Sequence, residues 1–220
     1  MPDDAAPAWR PTWFAGRDEP GDQDGAARLA AALRAINELL IQGMDDSAAL
    51  GTLAGDAEAL RDRLREAVPA SAGQRIAREA WARDFRRASP VVGQSNVVAP
   101  PLRIWVDGET VRGEGSFGAA YEGPPGHVHG GFIAAAFDEV LGATQSLTEQ
   151  SGMTGTLTVR YRRPTPLFRT LEFRGRLDRV SGRKIIASAT LHAGETLCAD
   201  AEAIFVAVDF AALAQTVRDS

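Results

Sequence analysis

Cysteine is nearly absent from this chain. Cys198 is the only one in 220 residues, which excludes an intrachain disulfide and a cysteine-built metal site. That usage suits a reducing compartment. Positive charge is also short: 24 Lys and Arg stand against 29 Asp and Glu, the net charge is -5, and no basic block occupies either end. A nucleic-acid binder would carry a basic patch or stripe, so none is expected as a partner. No apolar run approaches the ~20 residues of a membrane helix. Met1 to Gly21 is acidic and proline-rich and lacks a charged-then-apolar secretory pattern. The expectation is a cytoplasmic protein without membrane contact. What is present is ordinary for a soluble fold: 45% apolar and 24% charged residues.

Residues 1–88 read as an acidic arm followed by a helical extension. The arm, to about Asp24, has no periodicity, and Trp9, Trp13 and Phe14 are its aromatic residues. Ala26 to Gln42 carries Leu29, Leu33, Ile36, Leu39 and Leu40 at helical spacing, with Gly43 as a stop. Asp56 to Val68 predicts a second helix, and Ser71 to Arg87 is a weaker third candidate. These apolar stripes need cover, so packing on the rest of the chain is expected.

The pattern changes near Ser89. A loop with Pro90, Pro100 and Pro101 leads into a hairpin, Leu102–Asp107 and Val111–Tyr121, around Gly108. Glu122-Gly-Pro-Pro-Gly126 breaks the chain. Gly131 to about Leu147 is the one strong helix of this half, apolar on nearly all sides and therefore expected to be buried. Four strands follow: Thr154–Arg162, Thr170–Val180, Lys184–Leu191 and Leu197–Val208. In the second, Leu171, Phe173, Gly175 and Leu177 alternate with charged residues, the mark of a half-buried strand. Ser181-Gly182 and Ala193-Gly194 fall where hairpin turns belong. One antiparallel sheet wrapped around one helix satisfies this outline. Residues 89–210 would form that α+β unit and 211–220 a tail.

Several residues of this unit form a recognisable set. His129-Gly130-Gly131 opens the helix, and Asp138 follows the histidine by nine positions. Met153-Thr154 starts the next strand, and Tyr161-Arg-Arg-Pro164 with Pro166-Leu167 ends it. Upstream stand Ser89-Pro-Val-Val-Gly93, Asn96 and Ala99-Pro-Pro101. Over residues 89–208 the chain resembles the hotdog fold, and within it the phenylacetate-pathway-like thioesterases and their mitochondrial acyl-CoA thioesterase relatives. The resemblance implies hydrolysis of an acyl-CoA or other acyl thioester, no cofactor, and a homodimer. Whether two such dimers pair into a dimer of dimers stays open.

Thioester hydrolysis needs stabilisation of the carbonyl oxygen as it becomes negative, and either an activated water or a carboxylate nucleophile. The first N–H groups of a helix have no intrahelical partners, and the helix dipole favours an anion there. Gly130, with Gly131 beside it, has no Cβ to keep a substrate from its backbone. Asp138 is the candidate general base, with its pKa expected to be raised by apolar surroundings. The competing reading is an aspartate paired with an arginine or capping a buried amide. Asp138 lies seven positions after Gly131, on nearly the same face but ~10 Å further along the axis. One carbonyl cannot meet both from a single chain, so two antiparallel helices of a dimer are expected to share each site, as the resemblance also implies. Glu139 points ~100° away and is expected to face solvent or a partner.

His129 is expected to cap the helix or orient the loop more than to transfer a proton. His127 and His129 form a His-x-His pair, but only Asp138 is at hand as a further ligand, so no metal is expected. Thr154 matches a threonine that helps hold the attacking water in some relatives. Its competing reading is an ordinary strand residue, since Thr156 and Thr158 would repeat on its face. The upstream Asn or Gln that other thioesterases of this fold use is missing between Asn96 and Gln145. Arg162 and Arg163 are candidates for phosphate contact, against the reading of a solvated edge. Phe132, Phe137 and Met153, with Ile133 and Ala136, are candidates for lining the acyl pocket. Rival readings are a non-catalytic acyl-ligand binder, a hydroxyacyl dehydratase whose local pattern is not found, and partner binding through residues 1–88.

Overall fold

The computed structural model describes residues 25–43, 47–68, 87–148, 150 and 152–208. The arm, the third helix candidate up to residue 86 and the tail lie outside them. Two helices come first, α1 (Gly25–Gln42) and α2 (Ser47–Ala67). Helix α2 begins nine residues earlier than its apolar spacing predicts, because Ser47 to Gly55 is rich in alanine, the best helix former. Strands β1 (Arg103–Asp107) and β2 (Thr110–Gly115) form the first hairpin. The second strand stops at Gly115 rather than running to Tyr121, and Ala119–Tyr121 is a short 3-10 turn. Helix α3 (Gly130–Gln145) follows, then β3 (Gly152–Tyr161), β4 (Leu171–Ser181), β5 (Lys184–Ala193) and β6 (Thr196–Ala207).

All six strands join one antiparallel sheet in the order β1-β2-β4-β5-β6-β3. Three hairpins turn on two residues each, and Gly108, Gly182 and Gly194 take positive φ at 63°, 58° and 59°. The sheet curls around α3, which is the hotdog arrangement. The helix buries Ile133, Ala136, Phe137, Val140, Leu141, Ala143, Thr144 and Gln145. The inward residues of β4 (Leu171, Phe173, Gly175) and of β5 and β6 (Ile185, Ala187, Leu191, Ala199, Ala203, Phe205) close over it. Gln145 pins the start of β3, its Oε1 accepting from the Gly152 N–H at 3.1 Å.

Helix α1 docks differently from the expectation. Only Ala30 is fully buried, and Ile36, Leu39, Leu40 and Ile41 remain about half exposed. Polar groups make the attachment: Arg34 donates to the Asn96 carbonyl at 2.8 Å, and Glu38 accepts from the Ala119 and Ala120 N–H groups at 2.7 and 3.1 Å. The apolar stripe does not decide which face lies on the sheet unit.

Helix α3 touches β4 most closely at Gly175. A Cβ there would overlap Thr144 Oγ1 and reach 3.2 Å from Val140 Cγ1. Thr144 cannot swing aside freely, since its hydroxyl donates to the Val140 carbonyl at 2.8 Å. Gly175→Ala is therefore expected to cost ~1–3 kcal/mol of stability by overpacking. A urea titration should show a lower midpoint with unchanged slope. A wild-type midpoint would mean that the close approach is not required.

Candidate functional site

The loop before α3 is built by its glycines and prolines. Pro124, Pro125 and Gly126 make a turn closed by the His127 N–H on the Pro124 carbonyl at 2.9 Å, with Gly126 at φ 76°. Gly123 allows the His129 backbone to pass close, as a Cβ would lie 2.8 Å from His129 Cα. The His129 N–H is held by the Tyr121 carbonyl at 2.8 Å. His129 is the N-cap of α3, and its Nδ1 accepts from the Gly131 N–H at 3.0 Å. An accepting Nδ1 carries no proton, so a neutral His129 ring holds it on Nε2.

This cap divides the two glycine donors expected for the carbonyl oxygen. The Gly131 N–H is occupied by His129. The Gly130 N–H is the helix's first, with no intrahelical acceptor, and it finds none in the loop. The free donor is thus Gly130 alone. Tyr161 lies over it: its hydroxyl donates to the Gly130 carbonyl at 2.8 Å, and a Cβ on Gly130 would meet that hydroxyl at 3.2 Å. The motif containing Tyr161 was legible in the sequence, but its contact was not.

Asp138 is exposed, although Phe137 and Val140 beside it are fully buried. The apolar surroundings expected for its carboxylate are therefore not supplied by its own chain. Its partner is a hydroxyl rather than an arginine: Thr154 Oγ1 donates to Asp138 Oδ1 at 2.9 Å. Thr154 reaches it because of a β-bulge. Thr154 pairs with Phe205 and Thr156 with Ile204, leaving Gly155 extra. The bulge puts Thr154 on the helix side with Leu157, Val159 and Tyr161, whose partners on β6 are buried, and Thr156 and Thr158 on the other face. The expectation that the three threonines share a face fails at that one residue.

Glu139 also departs from expectation. It is half-buried, and Ser89 Oγ donates to its Oε1 at 2.8 Å. Ser89 in turn accepts from the Val91 and Val92 N–H groups at 3.1 and 3.2 Å. The ~100° offset from Asp138 points Glu139 at this upstream loop instead of at water. Burial raises its pKa above the usual 4.5; the Ser89 bond pulls it down and the charge of Asp138 adds to the rise.

The remaining candidates separate. Arg162 and Arg160 both pair with Asp200, whose carboxyl is held low chiefly by the Arg162 hydrogen bond. Arg162 is thus already engaged, and Arg163, adjacent and exposed, has no side-chain partner among the described residues. Phe137 is fully buried edge-on against Phe173, with ring centroids 5.4 Å apart, and packs in the core. Ile133 and Ala136 are buried with it. Phe132 is half-buried edge-on against Tyr121, and Met153 is 51% exposed. His127 Nδ1 lies 2.8 Å from the Pro125 carbonyl. Among the described residues no three His, Cys, Asp or Glu side chains gather as metal ligands. His192, half-buried on β5, has its Nδ1 buried with no hydrogen-bond partner among the described residues.

A buried helix whose first N–H is free, with an aspartate further along its uncovered face, is the arrangement of a hotdog thioesterase. Known proteins agree with that class. The family model described as thioesterase superfamily matches residues 125–199. The solved structure of protein RHA08564, a thioesterase superfamily protein, is 34% identical with a TM-score of 0.75, covering 86% of this chain and 97% of its own. The chain belongs to the thioesterase superfamily. It is also 35% identical over 94 residues to the acyl-coenzyme A thioesterase THEM4 of Mus musculus, and 30% identical over 91 residues to THEM5 of Homo sapiens. Those matches cover 42% and 40% of this chain, and only 40% and 37% of the relatives' length.

The raised pKa of Glu139 gives a pH signature. A carboxyl raised by folding contributes stability that is complete below its unfolded value and is lost as pH rises through the folded value. Glu139→Gln keeps an oxygen for Ser89 and carries no charge. The variant is expected to be more stable than wild type at neutral pH, and the difference to vanish below about 4.5. Denaturant titrations across that range check it; a variant less stable at neutral pH would contradict the burial argument.

Proposed function

We propose that the protein is an acyl-CoA thioesterase, releasing a free acid and a thiol from a site shared across a homodimer. The observation that carries this reading is the Gly130 N–H, left without an acceptor at the N-terminus of a buried helix. A thioester carbonyl placed there accepts that hydrogen bond, and the bond strengthens as the oxygen becomes negative. The names of the THEM4 and THEM5 relatives supply the substrate class. A cytoplasmic location accords with a single, buried, free cysteine.

Asp138 acts as general base. Thr154 holds Oδ1, leaving Oδ2 to take a proton from water as the water oxygen bonds to the carbonyl carbon. The tetrahedral intermediate collapses by breaking the carbon–sulfur bond. The proton passes from Asp138 to the departing sulfur, which restores the carboxylate. Thr154 is a positioning residue, and Arg163 is the cation free to meet a phosphate of coenzyme A.

On one chain the two halves of the site stand apart. Gly130 and Asp138 are separated by eight helical residues, about 12 Å. The stripe of α3 through Gly131, Ala135, Asp138 and Gly142 is exposed or half-exposed, and β3 is an edge strand with most of its residues exposed. A second copy laid across this face would bring its Asp138 to the first copy's Gly130 and remove both carboxylates from water. An open strand edge beside a half-apolar face favours such a partner over solvent.

Two experiments test the reading. A panel of acyl-CoA substrates with free-thiol detection should show turnover that falls at least ~100-fold in Asp138→Asn, the scale of general-base loss. Equal rates would remove Asp138 from the mechanism, and no turnover by wild type on any substrate would favour an acyl-ligand binder. The second experiment mixes protomers. Gly130→Pro deletes the donor at the first helical position, where His129, at φ -61° and ψ 131°, already has the backbone of a residue before proline; its Cβ would press on the Tyr161 ring, so folding of the variant is verified first. Mixed with Asp138→Asn, it should regain activity, since one hybrid site is intact. Demonstrated subunit exchange with no recovery would refute the shared site.

A further inference from the structure

We propose that Glu38, on the N-terminal helix, is a positioning residue for the Gly130 donor, acting through the 3-10 turn at Ala119–Tyr121. The catalytic part of this proposal rests on the thioesterase reading; the structural coupling does not.

The turn begins at Gly118, which has no side chain with which to cap it. Its leading N–H groups, on half-buried Ala119 and Ala120, have no acceptor within the turn. They are taken instead by one carboxylate from 81 residues away: Glu38 Oε2 accepts from Ala119 at 2.7 Å and Oε1 from Ala120 at 3.1 Å. Hydrogen bonds to an ionised carboxylate are among the strong ones. The approach depends on Gly118, because a Cβ there would run into the Glu38 carboxylate. A serine or aspartate at 118 would cap the turn locally. The chain has glycine there and ties the turn to α1.

The turn ends in Tyr121, and Tyr121 is where the site is held. Its carbonyl takes the His129 N–H at 2.8 Å. Its ring is clamped edge-on between Phe117 and Phe132, at 5.4 and 4.9 Å, and its hydroxyl donates to the Val98 carbonyl at 3.1 Å. Burial pushes the pKa of that hydroxyl up to about 12, so it stays a donor at any ordinary pH. His129 caps α3 and precedes Gly130. A short line of contacts thus runs from Glu38 through the turn and Tyr121 to His129 and the free Gly130 N–H. Displacing the carboxylate frees the turn to shift, and a donor misplaced by a fraction of an ångström loses much of its effect on a transition state.

The test uses the full chain with Glu38→Ala, Glu38→Gln, Gly118→Ala and the Glu38→Ala/Gly118→Ala double variant. Gly118 sits at φ -91° and ψ -167°, which alanine adopts, so Gly118→Ala dislodges the carboxylate without backbone strain. The first readout is amide hydrogen exchange at His129, which needs no activity. Exchange should quicken about tenfold in Glu38→Ala and in Gly118→Ala, the scale of one lost charge-assisted bond. The second is steady-state kinetics with an acyl-CoA. The value of kcat should fall several-fold with KM within about twofold, since a misplaced oxyanion donor is felt in the transition state and not in ground-state binding. Glu38→Gln, which keeps one acceptor, should recover part of the loss. The double variant should be no worse than either single one, because both break the same contact. Unchanged exchange at His129 in folded Glu38→Ala and Gly118→Ala would overturn the proposal. So would a kcat loss that only tracks the folded fraction. A wild type that turns over no thioester removes the thioesterase reading, and the exchange result still decides the coupling.

Discussion

Hiding one nearly apolar helix inside a curved sheet is the constraint from which the rest of this molecule follows. The side chains of α3 have no place in water on most of their circumference, so β2, β4, β5, β6 and β3 close around it. Packing α3 against β4 needs Gly175, and orienting it needs Gln145 at one end and the His129 cap at the other. The helix tip itself stays open, with His129 and Gly131 exposed and Gly130 half-buried, and the loop supplies no acceptor for its leading amide. The Gly130 N–H becomes a fixed, oriented donor, which is what a developing oxyanion requires.

Burial also decides where charge can sit on this helix. Asp138 and Glu139 are adjacent carboxylates with opposite fates. Asp138 lies on the single stripe that the sheet leaves open and is held by Thr154. Glu139 is turned under the upstream loop and held by Ser89. The first stays exposed, and the second fastens the loop at Ser89 to the helix. Arginines on β3 and its exit show a similar division, with Arg160 and Arg162 bound to Asp200 and Arg163 left over.

The N-terminal helix is attached by the same economy of polar groups. Its apolar stripe is not what fastens it. Arg34 and Glu38, one turn apart, bind backbone groups of the sheet unit: the Asn96 carbonyl, which also accepts from the Ala99 N–H, and the Ala119 and Ala120 N–H groups. An extension attached in this way is joined to the segment leading into the candidate site, and not merely laid upon its surface.

Much of this was legible beforehand because it depends on local periodicity. The alternation from Leu171 to Leu177, the glycines of the hairpins, the apolar run after Gly131 and the position of Asp138 relative to the His-Gly-Gly opening all repeat or recur within a few residues, and short-range backbone geometry dictates their meaning. What periodicity cannot carry is a contact between distant parts of the chain. The bulge at Gly155, which turns Thr154 toward Asp138, arises from pairing with β6. The capture of Arg162 by Asp200, the burial of Glu139 under Ser89, the loss of Phe137 to the core and the reach of Glu38 to Ala119 each join residues far apart in sequence. Sequence alone therefore determined which elements form and which residue types stand at the helix tip. Tertiary structure decided which of those groups remain free to act, because only packing fixes which hydrogen-bonding groups have already been spoken for.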